Sequence, residues 1–225
     1  MIGKVSGIAL ALVIGMGLVG LATPVLADGL VVTFPDAKLD AAIRETIGRP
    51  TGDIYQSDLE GLISLNASDK VISDLTGLEY CINLTMLDLS YNDDISDISA
   101  LSSLTNLTWL DLSCNRISNI SPLSSLTNLT WLGLYNNWIS DISPLVDNIG
   151  LDEGDRVSLL YNYLDITPDS KARNDIQTLR DRGVSVDSYS PQKKIPLMPL
   201  LVGGIVAAVV AGGLAIFLAR RRRPV

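Results

Sequence analysis

The chain has 225 residues, enough for one domain of ordinary size with accessory segments at its ends. It contains no histidine and two cysteines without a CxxC pair, which argues against the usual general base, the common nucleophile pairs and a zinc cage. The net charge is −8, and all 25 acidic residues lie between positions 28 and 187. Such a surface repels nucleic acid. We therefore predict a protein that is not an enzyme, needs neither cofactor nor metal, and does not bind nucleic acid.

The first 27 residues have the pattern of an export signal. Lys4 supplies a positive start, and residues 8–21 form an apolar run that only glycine interrupts. Val25 and Ala27 then place small side chains at the two positions that a signal peptidase reads. The pattern predicts a signal peptide over residues 1–27. The alternative is an uncleaved N-terminal anchor, although the run is short and rich in glycine for a spanning helix.

Residues 28–61 are predicted to form a helical N-terminal cap. Apolar residues recur at helical spacing after Asp36, and Gly48 follows them, which marks the beginning and the end of one helix. Ser57 and Asp58 suggest the start of a second, short helix. The segment that follows is repetitive, and the end of a stacked repeat array exposes its core and needs such a cover.

The middle of the chain, residues 62–165, repeats with a period of 22 residues, since residues 104–112 return as residues 126–134. Leu110 and Leu112 alternate with Asp111, the pattern of a strand buried on one face. About five coils would give a parallel sheet about 20–25 Å wide. Ser121 before Pro122 predicts the cap of a short helical turn on the opposite side. The column three residues after the last leucine predicts a ladder of buried amides: Asn92, Asn115, Asn137 and Asn162.

The repeat is irregular in three places. Lys70 occupies the first asparagine position, and the segment from Asn92 to Ile95 holds one residue more than the matching segment in the next coil. The step from Leu132 to Val157 is 25 residues instead of 22, which predicts a bulge near residues 152–154. The ends of the array are therefore expected to be less regular than its middle.

This pattern resembles the leucine-rich-repeat family, and the 22-residue unit looks like its bacterial internalin-like subclass. The motif LxxLxLxxNxI is met twice, by Leu107, Leu110, Leu112, Asn115 and Ile117 and by Leu129, Leu132, Leu134, Asn137 and Ile139. The resemblance implies an α/β solenoid, a short horseshoe with a parallel concave sheet and 3-10 or short helices on its convex side. In that family, partner proteins usually bind the concave face.

Beyond the repeats, residues 166–187 predict a C-terminal cap with one helix and a last strand through Val184 and Val186, followed by a linker over residues 188–196. Residues 195–219 lack any charge, which predicts a transmembrane helix over residues 197–219. The four arginines of the basic tail, residues 220–225, predict a cytoplasmic C-terminus and an extracellular N-terminal domain. The alternative is a cleaved sorting signal, although no LPxTG-like site precedes the span.

The outward strand positions supply the candidate binding residues. Trp109 and Trp131 are expected side by side, and exposed aromatic residues in a row favour a partner. The alternative is a repeated residue that duplication has copied and that stacks on its neighbour. The predicted concave set is Met86, Asp88, Trp109, Asp111, Trp131 and Tyr135. The adjacent aspartates lack a third ligand and are interpreted as a solvated acidic surface.

Other motifs are interpreted as structural. The three Asn-Leu-Thr sequons, at residues 83–85, 106–108 and 128–130, all fall in one repeat column. Cys81 stands in a leucine column and is expected to be buried, and Cys114 lies on a different side of the coil, so no disulfide is predicted.

These expectations combine into one functional hypothesis. The chain would be a membrane-anchored extracellular binding protein that engages a protein or glycan partner through its concave face, in an adhesive role. The alternative is a structural or accessory envelope subunit that associates through its transmembrane helix.

Overall fold

The structure is a computed structural model that describes residues 29–188 and the backbone of two further segments, 206–210 and 213–217. The predicted signal peptide (1–27), the predicted linker beyond residue 188 and the basic tail (220–225) lie outside the described residues. Residues 29–188 share one hydrophobic core that runs through the repeats and both caps.

The N-terminal cap contains more than the predicted helices. Strand β1 (Val31–Val32) pairs antiparallel with β2 (Ile54–Tyr55). Helix α1 (Ala37–Ile47) lies between these strands in the sequence, and helix α2 (Gln56–Leu59) directly follows β2. Helix α1 ends at Gly48, whose φ of 68° lies in the left-handed region that glycine tolerates. The apolar side chains of α1 cover the first coil of the core.

Asp36 joins this cap to the first repeat. Its Oδ1 accepts hydrogen bonds from the backbone N–H groups of Lys38 at 2.8 Å and Leu39 at 3.2 Å, which caps α1. Its Oδ2 accepts from the N–H groups of Ser73 at 2.8 Å and Asp74 at 3.3 Å. Burial alone would raise the pKa of Asp36, but these backbone donors outweigh it and hold the pKa below its usual value.

Six parallel strands form the sheet in chain order. They are β3 (Ser64–Asn66), β4 (Met86–Asp88), β5 (Trp109–Asp111), β6 (Trp131–Gly133), β7 (Arg156–Ser158) and β8 (Ser185–Asp187). In each strand the middle residue is buried, as the alternation in the sequence predicts. The predicted solenoid with a parallel sheet is confirmed, and β8 adds the C-terminal cap to the same sheet.

The convex side carries short helices, but their caps differ from the prediction. Three 3-10 helices (Leu78–Tyr80, Ser99–Ser103, Ser121–Ser125) precede α3 (Ser143–Asp147). The prediction that Ser121 is the N-cap is wrong, because Ile120 holds that position and points into the core. The exposed side chain of Asn119 instead accepts from the N–H of Ser121 at 3.0 Å. Asp97 and Asp141 make the same turn in their coils.

Buried amides connect successive coils. Asn92 donates to the carbonyl oxygens of Ala67 at 3.0 Å and Leu89 at 2.9 Å, and it accepts from the N–H groups of Lys70 at 3.1 Å and Ile72 at 3.0 Å. Asn115, Asn137 and Asn162 also donate to the preceding coil. Each asparagine therefore satisfies backbone groups of the coil before its own as well as groups of its own coil.

The extra residue before Ile95 disturbs this ladder. Asn137 accepts from Ile117 N–H at 3.0 Å and Asn162 accepts from Ile139 N–H at 3.1 Å. The equivalent oxygen of Asn115 is buried and has no hydrogen-bond partner among the described residues. The preceding segment, which holds the extra residue, therefore supplies no N–H group to this oxygen.

The 25-residue step contains a further buried amide, Asn148, which lies outside the ladder and was not predicted from the sequence. Asn148 is fully buried and donates to the carbonyl oxygens of Leu123 at 2.9 Å and Leu126 at 3.1 Å. The chain then passes so close to the preceding coil that a Cβ on Gly150 would lie 1.9 Å from the carbonyl oxygen of Thr127. The turn expected near residues 152–154 includes Gly154, at a φ of 99°.

The C-terminal cap consists of α4 (Lys171–Asp181) and β8. Helix α4 packs on α3 and buries Ala172, Ile176 and Leu179 over the last coil. In the segment predicted as a membrane helix, the backbone forms two antiparallel strands, β9 (Val206–Val210) and β10 (Gly213–Phe217). Among the described residues, none belongs to a helix of the length and apolar character needed to cross a bilayer.

Candidate binding surface

The concave face carries a short apolar row across three neighbouring strands. In the register of the sheet, Met86 lies beside Trp109, and Trp109 lies beside Trp131. The two indole rings stack at 4.6 Å between centroids with planes 9° apart. The side chain of Met86 is 47% exposed, and both tryptophans are half-buried. Ser64 and Arg156 flank the row on the outer sides.

Gly133 gives the stacked rings their position. A Cβ on this glycine would lie 2.6 Å from Cη2 of Trp131 and 2.5 Å from Oδ1 of Asp111. The indole of Trp131 therefore leans along its strand over Gly133, and the carboxylate of Asp111 lies next to the same spot. A side chain larger than hydrogen would push both groups away.

A row of carboxylates runs next to the apolar row. Asp88 and Asp111 are register partners on β4 and β5. Oδ1 of Asp88 accepts from the N–H of Ser90 at 3.0 Å, and Oδ1 of Asp111 accepts from the N–H of Ser113 at 2.9 Å. Among residues 29–188, no ion pair involves either carboxylate. No group of three metal-ligating side chains occurs in the part of the chain that the structure describes.

Tyr135 lies beyond the apolar row, near the carboxyl ends of the strands. Its ring meets the edge of Tyr161 at 5.1 Å between centroids, with planes 71° apart. Burial raises the pKa of the Tyr135 phenol, and the neighbouring Tyr161 and Cys114 raise it further. The Tyr135 phenol is therefore neutral at physiological pH and provides a hydrogen-bonding group.

A second group of exposed aromatic residues lies at the turns after the strands, and the sequence analysis did not include it among the binding residues. Tyr91 is 52% exposed, and Trp138 and Tyr163 are each 51% exposed. Arg116 lies 5.9 Å from the ring centroid of Trp138 and forms an ion pair with Asp94 at 2.7 Å. Two of them could have been found from their position in the repeat, because Trp138 and Tyr163 directly follow the ladder residues Asn137 and Asn162.

The cysteines are structural within the fold. Both are free and buried. Burial raises the pKa of the Cys81 thiol to about 12, with a smaller contribution from the charge of Glu79. Burial also raises the pKa of Cys114. Because the thiolate is the reactive form, the raised pKa lowers the reactivity of both thiols at neutral pH.

Comparisons with known proteins agree with the fold. Residues 105–147 match the family described as Leucine Rich repeats (2 copies). No curated protein matches the chain. Residues 105–147 therefore carry two leucine-rich repeats, as the sequence pattern indicates.

Among solved structures, the functional domain of InlJ from Listeria monocytogenes is 27% identical with a TM-score of 0.54, over 60% of this chain and 30% of that one. A leucine-rich-repeat protein from Leptospira interrogans is 25% identical with a TM-score of 0.50, over 58% of this chain and 32% of that one. An internalin (InlF) from Listeria monocytogenes is 28% identical with a TM-score of 0.45, over 68% of this chain and 55% of that one. The chain thus resembles the functional domain of InlJ in structure, and it spans between 30% and 55% of the length of these three proteins.

Proposed function

We propose that the chain is an extracellular, membrane-anchored binding protein that engages a protein partner through its concave face, in an adhesive role. The observation that carries this proposal is the row of Met86, Trp109 and Trp131, because a partly exposed aromatic and methionine row on a polar sheet has the composition of an interface. The similarity to internalins supports the proposal through the fold.

The geometry of the tryptophans favours a protein over a glycan. Sugar rings bind aromatic side chains by lying on an open face of the ring. Here the two indoles cover one face of each other at 4.6 Å, and Met86 and Arg156 occupy the neighbouring register positions on the outer sides. One face of each indole is therefore closed to a sugar ring, and the exposed ring edges suit the side chains of a protein surface.

The proposed anchor and location are supported by the sequence. Residues 195–219 carry no charge, and four arginines follow at positions 220–223. Within the part of the chain that the structure describes, β9 and β10 pair only with each other, and such a two-stranded ladder would leave backbone groups at its outer edges unpaired in hydrocarbon. A bilayer would favour a helix over this arrangement, because a helix satisfies its own backbone.

A cross-linking experiment tests the concave face in the full chain. A photoreactive phenylalanine derivative replaces Met86 in one variant and Ser102, on the convex side, in the control. We expect a protein cross-linked at position 86 and absent at position 102, and we expect Trp109→Ala with Trp131→Ala to abolish its capture. Capture that is equal at both positions would refute the proposal. Co-purification that survives both tryptophan changes would favour an accessory subunit that associates through its membrane segment.

A further inference from the structure

Four side chains on β4 and β5 form a two-by-two array on the concave face. Met86 pairs in register with Trp109, and Asp88 pairs with Asp111 two residues further along the same strands. Neighbouring strands lie about 4.8 Å apart, and alternate residues of a strand lie about 6.6 Å apart. An apolar pair and an acidic pair thus stand side by side, and all four side chains are at least partly exposed.

Within the described residues, each carboxylate of the acidic pair has one oxygen atom that accepts no hydrogen bond. Each carboxylate uses Oδ1 for the turn after its strand. Within residues 29–188, no hydrogen bond or ion pair engages Oδ2 of Asp88 or Asp111, and the sheet places the two like charges next to each other. A cation between them would relieve their mutual repulsion.

Building on the proposed function, we infer that this array binds an arginine or lysine side chain of the protein partner. The aliphatic stem of such a residue fits the apolar pair while its charged head meets the carboxylates, because long basic side chains are apolar along the stem and charged at the tip. The charge of the domain agrees with a basic partner, since residues 29–188 hold 24 acidic and 10 basic residues.

The chain itself provides a substitution that removes the charge and keeps the fold. Asn66 occupies the same column on β3, and its Oδ1 accepts from the N–H of Ser68 at 3.1 Å and from its hydroxyl at 2.8 Å. Asparagine therefore makes the same turn as Asp88 makes with Ser90. The double variant Asp88→Asn with Asp111→Asn is expected to unfold at the same temperature as the parent.

The binding experiment uses the full chain in mild detergent with Trp138→Phe, which leaves Trp109 and Trp131 as the fluorescent residues of a chain with three tryptophans. The probes are two synthetic peptides of sequence Gly-X-Leu-X-Leu-X-Gly, with X as arginine in one and as the uncharged isostere citrulline in the other. The matched control variant is Asp152→Asn with Glu153→Gln, which changes the net charge equally at two exposed residues outside the array.

We expect the arginine peptide to change the fluorescence and the citrulline peptide to bind about tenfold more weakly. The array variant should weaken arginine-peptide binding about tenfold, while the control variant should leave it nearly unchanged. Equal affinity for both peptides, equal effects of both variants, or no binding of the arginine peptide at about 1 mM would each overturn the inference. If cross-linking at position 86 still depends on the tryptophans in that case, the proposed function holds, and only the binding of a basic side chain by the array is refuted.

Discussion

Replacing Asn92 by alanine tests the claim that buried amides hold neighbouring coils together. The side chain is fully buried and makes hydrogen bonds to Ala67, Lys70, Ile72 and Leu89. Its loss leaves at least one buried N–H and one buried carbonyl unpaired, and each such group costs about 1–3 kcal/mol. We therefore expect a loss of about 3–5 kcal/mol in the free energy of unfolding. For a domain of this size, a loss of 3 kcal/mol lowers the Tm by about 6–12 °C.

Two further variants make this test specific. Asn92→Asp keeps the shape and the acceptor but places a negative charge against two carbonyl oxygens, so it should destabilise at least as much as alanine. Asn106→Ala removes a single exposed hydrogen bond to the carbonyl of Ile82 and should cost less than about 1 kcal/mol. Thermal unfolding of the full chain in mild detergent, followed by circular dichroism, provides the measurement. Equal Tm values for the Asn92→Ala and Asn106→Ala variants would refute the reasoning.

Other predictions concern the ladder irregularity, the close approach and two titrating groups. Asn115→Ala should lower the Tm less than Asn92→Ala, because the Asn115 oxygen already lacks a partner among the described residues. Gly150→Ala should lower the free energy of unfolding by about 1–3 kcal/mol in chemical denaturation, because its Cβ would clash with the backbone of Thr127. Gly61→Ala, at a glycine with open space around it, should cost less. The raised pKa of Cys81 stabilises the fold fully below pH 9, and this contribution should fall as the pH rises toward 12; Cys81→Ala should reduce that alkaline decline in denaturation midpoints. The lowered pKa of Asp36 stabilises the fold above its usual pKa of 3.8, so acid unfolding below it should be less steep in Asp36→Asn, and an unchanged acid limb would contradict this assignment.

The repeat itself was predictable because its chemistry is periodic. Each strand needs a buried leucine between two outward residues, so the register of Trp109 with Trp131 follows from the 22-residue spacing. The amide column is predictable for the same reason, since one side chain must serve the same turn in every coil. The adjacency of the candidate concave residues therefore follows from counting along the chain.

The features that the sequence analysis missed are those that occur once or depend on geometry. The β1–β2 pairing rests on two residues per strand, which is too short for a periodic signal. Asn148 donates to the carbonyl oxygens of Leu123 and Leu126 only because the chain departs from its 22-residue period there. The cap position of Ile120 follows from the need of its side chain to enter the core, which moves the polar cap to Asn119. Partial burial of the tryptophans also depends on their contact with each other, which spacing alone does not determine.

The direction of the amide ladder has a consequence for how the chain is built. Because Asn92 serves backbone groups at residues 67–72 and Asn137 serves Ile117, a coil is completed by residues that follow it in the sequence. During synthesis, which starts at the N-terminus, each coil therefore lacks the hydrogen bonds from the asparagine of the following coil until that coil has been made. Truncations from the C-terminus should remove these hydrogen bonds one coil at a time. The final coil depends instead on the C-terminal cap, α4 and β8.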